Sequence, residues 1–199
     1  MKKAQKALFF IICVTLCVGL LSCATGGGSK GGGEASSVPY TGLMVTYTDE
    51  NDKGDSTIQM EEIEMEGMPA YRITGGVTTK FIYGFVGWMF IPDEATLENL
   101  KNAKAISFKC IGDGKRETVK YRISSVKDHA HFENHFIAET EVVYVEVPIK
   151  YFQQPSWGSP VRMNQANVED IAWQTHESWR VPGTSTPFEI TIWDVRIHL

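Results

Sequence analysis

Ala105-Ile106-Ser107-Phe108-Lys109-Cys110-Ile111-Gly112-Asp113-Gly114-Lys115 is the stretch whose reading decides the fold. Ile106, Phe108 and Cys110 alternate with Ser107 and Lys109, the period-two pattern of a half-buried strand. The Asp113-Gly114 pair tolerates positive φ, so it predicts a hairpin leading into a second strand over 118–124. There Val119, Tyr121 and Ile123 take one face while Lys120, Arg122 and Ser124 take the other. A third alternating run, 142–149, sets Val143, Val145 and Val147 inward and Tyr144 and Glu146 outward. Pro148 closes it, where a missing N–H is least harmful. The expectation is a sheet with one dry face and one polar, aromatic face.

Outward from that stretch, short apolar runs at 43–48, 56–66, 70–74, 81–91, 168–174 and 188–197 read as further strands. Met68-Pro69 reads as a turn between two of them, and Trp193-Asp194 as a bulge or change of face. Residues 92–104 hold the one helical candidate, capped by Asp93 and carrying Leu97 and Leu100. Run 81–91 is the most aromatic, and Trp88 beside Gly87 is the ring there best placed for a ligand platform. In the long loop 151–167, Trp157 reads as a plug for the end of the fold. No fixed-period repeat and no strand–helix–strand pattern is present. The fold class expected is all-β, an antiparallel β-sandwich.

The segments "AISFKCIGDGK", "VYVEVPIKYFQQPSWG" and "FEITIWDVRIH" resemble the strand and turn, the middle strand with its loop, and the closing strand of galactose-binding-like jelly rolls. The resemblance is to family 11 carbohydrate-binding modules and to complex I intermediate-associated protein 30 domains, and it covers roughly 43–199. Two positions depart from the pattern. Tyr144 stands where Trp is common, and Trp193 replaces the first Asp of a terminal acidic pair. The resemblance implies a jelly roll that binds glycan on a concave sheet face through Arg, Tyr and acidic residues. It also implies a structural Ca²⁺ near the first and last strands, and for the assembly-factor relatives a protein partner instead.

Residues 1–22 read as an export signal: Lys2, Lys3 and Lys6 precede an apolar run over 8–21 that is short for a membrane span. Leu21-Ser22-Cys23 resembles the lipobox of bacterial lipoproteins, which implies cleavage before Cys23 and acylation of its thiol. Residues 23–40, with Gly-Gly-Gly-Ser-Lys-Gly-Gly-Gly, read as a flexible tether, leaving 41–199 as the folded domain. Localisation at the cell envelope, exported and held by lipid, follows as an expectation. Cys13 and Cys17 leave with the signal, so Cys110 is the one remaining thiol, placed on the dry face.

The whole chain carries 19 basic and 24 acidic residues, a net charge of −5. Removing 1–22 takes three lysines and no acids, a balance near −8. An acidic chain without a basic stripe argues against nucleic-acid partners and against electrostatic docking on anionic lipid.

No nucleophile elbow, zinc-protease helix or phosphate loop is present, so no catalytic residue is assigned. The turn 49–55 carries four acids without EF-hand spacing, and structural Ca²⁺ is the one cofactor it suggests; no metal ligand is assigned. His129 and His131 share a face if extended, suiting hydrogen bonds to a hydroxyl as readily as a metal. The outward set Lys120, Arg122, Tyr144, Glu146 and Gln174, joined by His131 and Trp88, is the candidate ligand surface. A sugar offers an apolar face to aromatic rings and hydroxyls to charged and amide groups. The function expected is non-catalytic glycan capture by an anchored domain; the alternative is an interaction or assembly module with an envelope protein as partner.

Overall fold

Both alternating runs of the deciding stretch form strands, but the Asp113-Gly114 turn between them makes no hairpin. In a computed structural model that describes residues 36–176 and 185–199, the strands are β1 (Ser37–Pro39), β2 (Gly42–Thr48), β3 (Thr57–Met65), β4 (Met68–Val77), β5 (Phe85–Pro92), β6 (Ala105–Gly112), β7 (Lys115–Ile123), β8 (Phe132–Ala138), β9 (Val143–Pro148), β10 (Val168–His176) and β11 (Thr186–His198). One helix, α1 (Glu94–Lys101), follows β5. The expected signal, Cys23, the tether as far as residue 35, and Trp179 lie outside the described residues. The last part of the expected tether is instead folded, Ser37–Pro39 pairing with β11 and Tyr40 buried in the core.

The strands pair antiparallel in two sheets. The first runs β3-β4-β11-β6-β9, with β1 also on β11; the second runs β2-β5-β10-β7-β8. β11 and β9 already fill both edges of β6, so β7 has no edge there to pair with. The turn instead crosses between layers, its Gly112 and Gly114 amides donating to Glu139 and Ala138 carbonyls at 2.6 and 2.7 Å. Gly114 takes φ +76°, a conformation that favours glycine. The consequence reaches the site: β7 and β9 sit in different sheets, and their outward side chains face apart.

The dry interior is as the alternation requires. Ile106, Phe108 and Cys110 of β6, Val119, Tyr121 and Ile123 of β7, and Ile190 and Ile192 of β11 are all buried. Trp88 stacks on Phe188 across the two layers, rings 6.5 Å apart and 7° from parallel. Trp173 meets Phe108 edge-on at 5.4 Å. Burial pushes the Cys110 thiol up to about 12, so it is an inert part of this core.

Several boundaries differ from the sequence expectation for identifiable reasons. Met68-Pro69 opens β4; the turn is Glu66-Gly67, both at positive φ (53° and 75°), the two-residue geometry that suits strand twist. The His-rich segment contains β8, whose outward residues alternate too weakly in hydropathy to announce a strand. Trp193-Asp194 is a bulge: the β11–β6 register slips between Trp193 and Arg196, and Asp194 takes φ 49°. Buried positions change from even to odd numbers across it. Asp93 caps α1 by accepting from the Thr96 amide at 2.8 Å.

Candidate functional site

The outward face of the β2-β5-β10-β7-β8 sheet is a cleft of about 990 Å³. Its floor follows from strand register. Lys120 of β7 sits opposite Ala172 of β10 and Glu133 of β8, and Ala172 sits opposite Met89 of β5. One row along, Gln174 lies between Thr118 and Gly87, and Gly87 lies opposite Tyr47 of β2. A side chain at Gly87 would put its Cβ 2.1 Å from the Tyr47 ring, so the glycine is what lets that ring lie across β5. The small residues Ala172 and Gly87 keep the floor low, and the longer side chains around them make its polar surface.

Loops raise two walls at opposite ends of the sheet. Where β2 ends and β5 begins stand Asn51 and Asp52 of a 3-10 turn, then Phe81, Tyr83 and Phe85. Phe81 and Tyr83 meet edge-on at 5.7 Å, and Phe85 lies 6.2 Å from Tyr47. Where β7 ends and β8 begins stand Asp128, His129, His131 and Trp157. Asp128 ties that wall together, accepting from the Ser159 amide at 2.6 Å and the Ala130 amide at 3.2 Å. Gly158 allows the close approach: a Cβ there would fall 2.1 Å from the Ala130 methyl. Tyr83 and Trp157 remain 69 and 67% exposed.

The floor holds polar groups that the protein itself does not use. Lys120 is 9% and Gln174 4% exposed, and neither side chain has a hydrogen bond or ion pair among the described residues. Nδ1 of buried His131 also lacks a partner. Arg122 differs, since its guanidinium lies 3.5 Å from the Asp170 carboxylate and also contacts Met89. Burial pushes Asp170 up to about 6 against the opposing pull of Arg122. Burial also pulls the Lys120 ammonium down to about 8, with Glu133 opposing and Arg122 reinforcing. His131 falls to about 4 and His176 to about 3, in both cases first through burial. At neutral pH the His131 and His176 imidazoles are therefore uncharged, beside one amide and a desolvated ammonium between aromatic walls.

Four of the seven sequence-selected residues come together here: Lys120, Arg122, Gln174 and His131. Three do not. Trp88 is completely buried in the core, because it points opposite to its neighbours Gly87 and Met89. Tyr144 and Glu146 lie on the first sheet, their side chains joined by a 3.0 Å hydrogen bond. They do share an outward face, but on the wrong layer, because the 112–115 turn changes sheets. Trp157 is a cleft wall rather than a plug for the sandwich end. Tyr47, Tyr83, Phe85, Glu133 and His176 were not selected as ligand residues. The aromatic run 81–91 gave the one usable signal, and it belongs to loop and strand in turn.

Two of the acidic turn's four carboxylates, those of Asp49 and Asp55, are spent on protein donors. Asp49 is fully buried and accepts from the Ser56 amide, the Ser56 hydroxyl and the Phe85 amide at 3.1, 2.7 and 3.3 Å. Asp55 accepts from Thr78 and lies 3.6 Å from Lys80. Asp49 and Asp55 are thereby committed within the protein, whereas a calcium ion takes six to eight oxygens. Among the described residues no group of three or more His, Cys, Asp or Glu is disposed to hold a metal.

Fold and face together define a jelly-roll β-sandwich with a cleft over one sheet. Solved structures with this architecture include the family 11 carbohydrate-binding module of a cellulosomal cellulase of Clostridium thermocellum, with TM-score 0.57 at 13% identity, covering 83% of this chain and 96% of that one. A second structure of a Clostridium thermocellum family 11 module, in complex with a beta-1,3-1,4-mixed-linked tetrasaccharide, gives TM-score 0.55 at 12% identity over 78% of this chain and 88% of that one. At such identity the likeness is one of fold. No protein-family profile matches the chain, and no curated protein does.

Proposed function

We propose that this chain is a non-catalytic carbohydrate-binding protein whose ligand lies in the cleft over the second sheet. The observation that carries the reading is the set of mostly buried side chains without protein hydrogen bonds at Lys120 and Gln174, with the fully buried His131 Nδ1, set between aromatic walls. Burying such groups without a partner is unfavourable, and a sugar's hydroxyls would supply the missing hydrogen bonds. Tyr83 and Trp157 offer the apolar faces on which sugar rings stack. A module of similar fold has been solved with a bound tetrasaccharide, which lends the reading further support.

Attachment to the envelope membrane through lipid on Cys23 is the second half of the proposal. It is supported by the lysines, the apolar run and the Leu-Ser-Cys junction of residues 1–23. A glycan array followed by titration calorimetry tests the first half; no binding to any glycan would remove it. Metabolic labelling with a palmitate analogue tests the second. Label lost in Cys23→Ser is the expected result, and a wild-type chain that takes up none contradicts it.

A further inference from the structure

The protein is acidic and Asp52, Asp128 and Glu133 line its cleft, yet the floor centres on two cations, Lys120 and Arg122. Around Lys120 stand Arg122 on its own strand, Glu133 and His135 on β8, Asp170, Gln174 and His176 on β10, Met89 on β5, and Asp128, His129 and His131 from the neighbouring wall. Most of the acids among them are already engaged. Asp170 lies against Arg122, and Asp128 accepts two loop amides. Glu133 is opposite Lys120 across the strands, but its nearest ion-pair contact is His135 Nε2 at 3.9 Å. Lys120 is left as a nine-tenths-buried cation that feels Glu133 across the strands but makes no hydrogen bond or contact ion pair among the described residues.

The imidazoles report the resulting field. After burial, the influences that depress His131 are Arg122, Lys120 and His129, with Asp128 alone opposing. His176 is depressed by Lys120 and His135, and His135 by Arg116 and Lys120. Lys120 is the charge common to all three shifts, a cation on the cleft floor of a chain of net charge −5. Low-dielectric walls focus the potential of such a charge on whatever enters the cleft.

We propose that the ligand is an anionic glycan, one whose acidic substituent seats on the Lys120 ammonium while its rings lie against Tyr83 and Trp157. A uronate carboxylate and a sulfate ester are the two sources of that charge. The inference rests on the reading of the cleft as a sugar site. An anion there restores to the ammonium the partner that folding removed, which neutral hydroxyls do only in part. It also makes binding depend on Lys120 being protonated. With the free ammonium at about 8, affinity is full below that pH and is lost as pH rises through it.

The test uses the full chain and pairs ligands that differ in charge alone. Oligogalacturonides, their methyl esters, sulfated galactans and the same galactans desulfated are titrated side by side at pH 7 and pH 9. The expected result is tenfold or greater preference for an acidic member over its neutral counterpart, shrinking at pH 9. Preference confined to the carboxylate or to the sulfate series assigns the source. Lys120→Met, with its fold checked by melting temperature, is expected to bring the ratio near one. Should that variant not fold, the wild-type ratio of acid to ester still decides. Esters or desulfated galactans binding as well as the acids would overturn the inference and leave the sugar reading intact. Binding by none of the four and by no other glycan would overturn both.

Discussion

Tyr83 and Trp157 keep 69 and 67% of their surface in solvent, at opposite ends of one cleft. Neither ring carries the core, so removing either should leave the fold alone and weaken ligand binding. Tyr83→Ala and Trp157→Ala are each expected to cost about 1 kcal/mol of affinity, roughly fivefold, the size of one aromatic contact beyond its area. Calorimetry against a bound glycan reads the loss, and melting curves should coincide with wild type. Trp88 is the opposite case. Its indole is completely buried against Phe188, so Trp88→Ala should lose about 3–5 kcal/mol of stability through the cavity it leaves. Tyr144→Ala is the silent control: its ring is on the far sheet, bonded to Glu146, and binding should not change. A Tyr144 variant that loses affinity while Trp157→Ala keeps it would move the site to the other face.

At the scale of elements, side-chain phase was legible and sheet membership was not. Alternation gave the buried set on β6, β7 and β9 and put Lys120 and Arg122 outward, because a period of two fixes which face a residue takes. Nothing local distinguishes an Asp-Gly turn that closes a hairpin from one that crosses layers. That is decided by which edges are already occupied, and β6 is filled on both sides by strands distant in sequence. The same limit hid the site's aromatic wall, since Tyr83 and Trp157 belong to loops that only the sheet brings to one cleft. One wall is held by the turn at Asp49–Asp52, whose buried Asp49 ties Ser56 and Phe85 together. A Cβ on Gly54 would come 2.1 Å from the Asp49 carboxylate carbon, a measure of how closely the loop wraps it. Asp49→Ala strands those donors and is expected to cost about 3 kcal/mol, on the order of one to two unmade buried bonds. Denaturant unfolding reads the stability. Weakened glycan binding should accompany it, because Phe85 and Asp52 line the cleft.

For the whole molecule the cleft's buried titratable groups set the acid limit of stability. His131 and His176 are depressed in the folded chain, to about 4 and about 3, so the unfolded chain binds their protons first. Their contribution is complete above the ordinary histidine value and is lost as pH falls below it. Asp170 works the other way: raised to about 6, it is protonated in the folded chain where the unfolded one is ionised. Between about pH 6 and pH 4 the unfolded state holds close to two protons on these histidines, while the folded state holds about one, on Asp170. The difference of one proton corresponds to a slope of about 1.4 kcal/mol per pH unit, with stability falling on acidification. Urea midpoints measured across that window should fall accordingly, and His131→Gln or His176→Gln should each flatten the slope. A stability flat or rising from pH 6 to pH 4 would mean that these imidazoles are reached by water, and that the cleft floor is not the dry surface on which ligand capture depends.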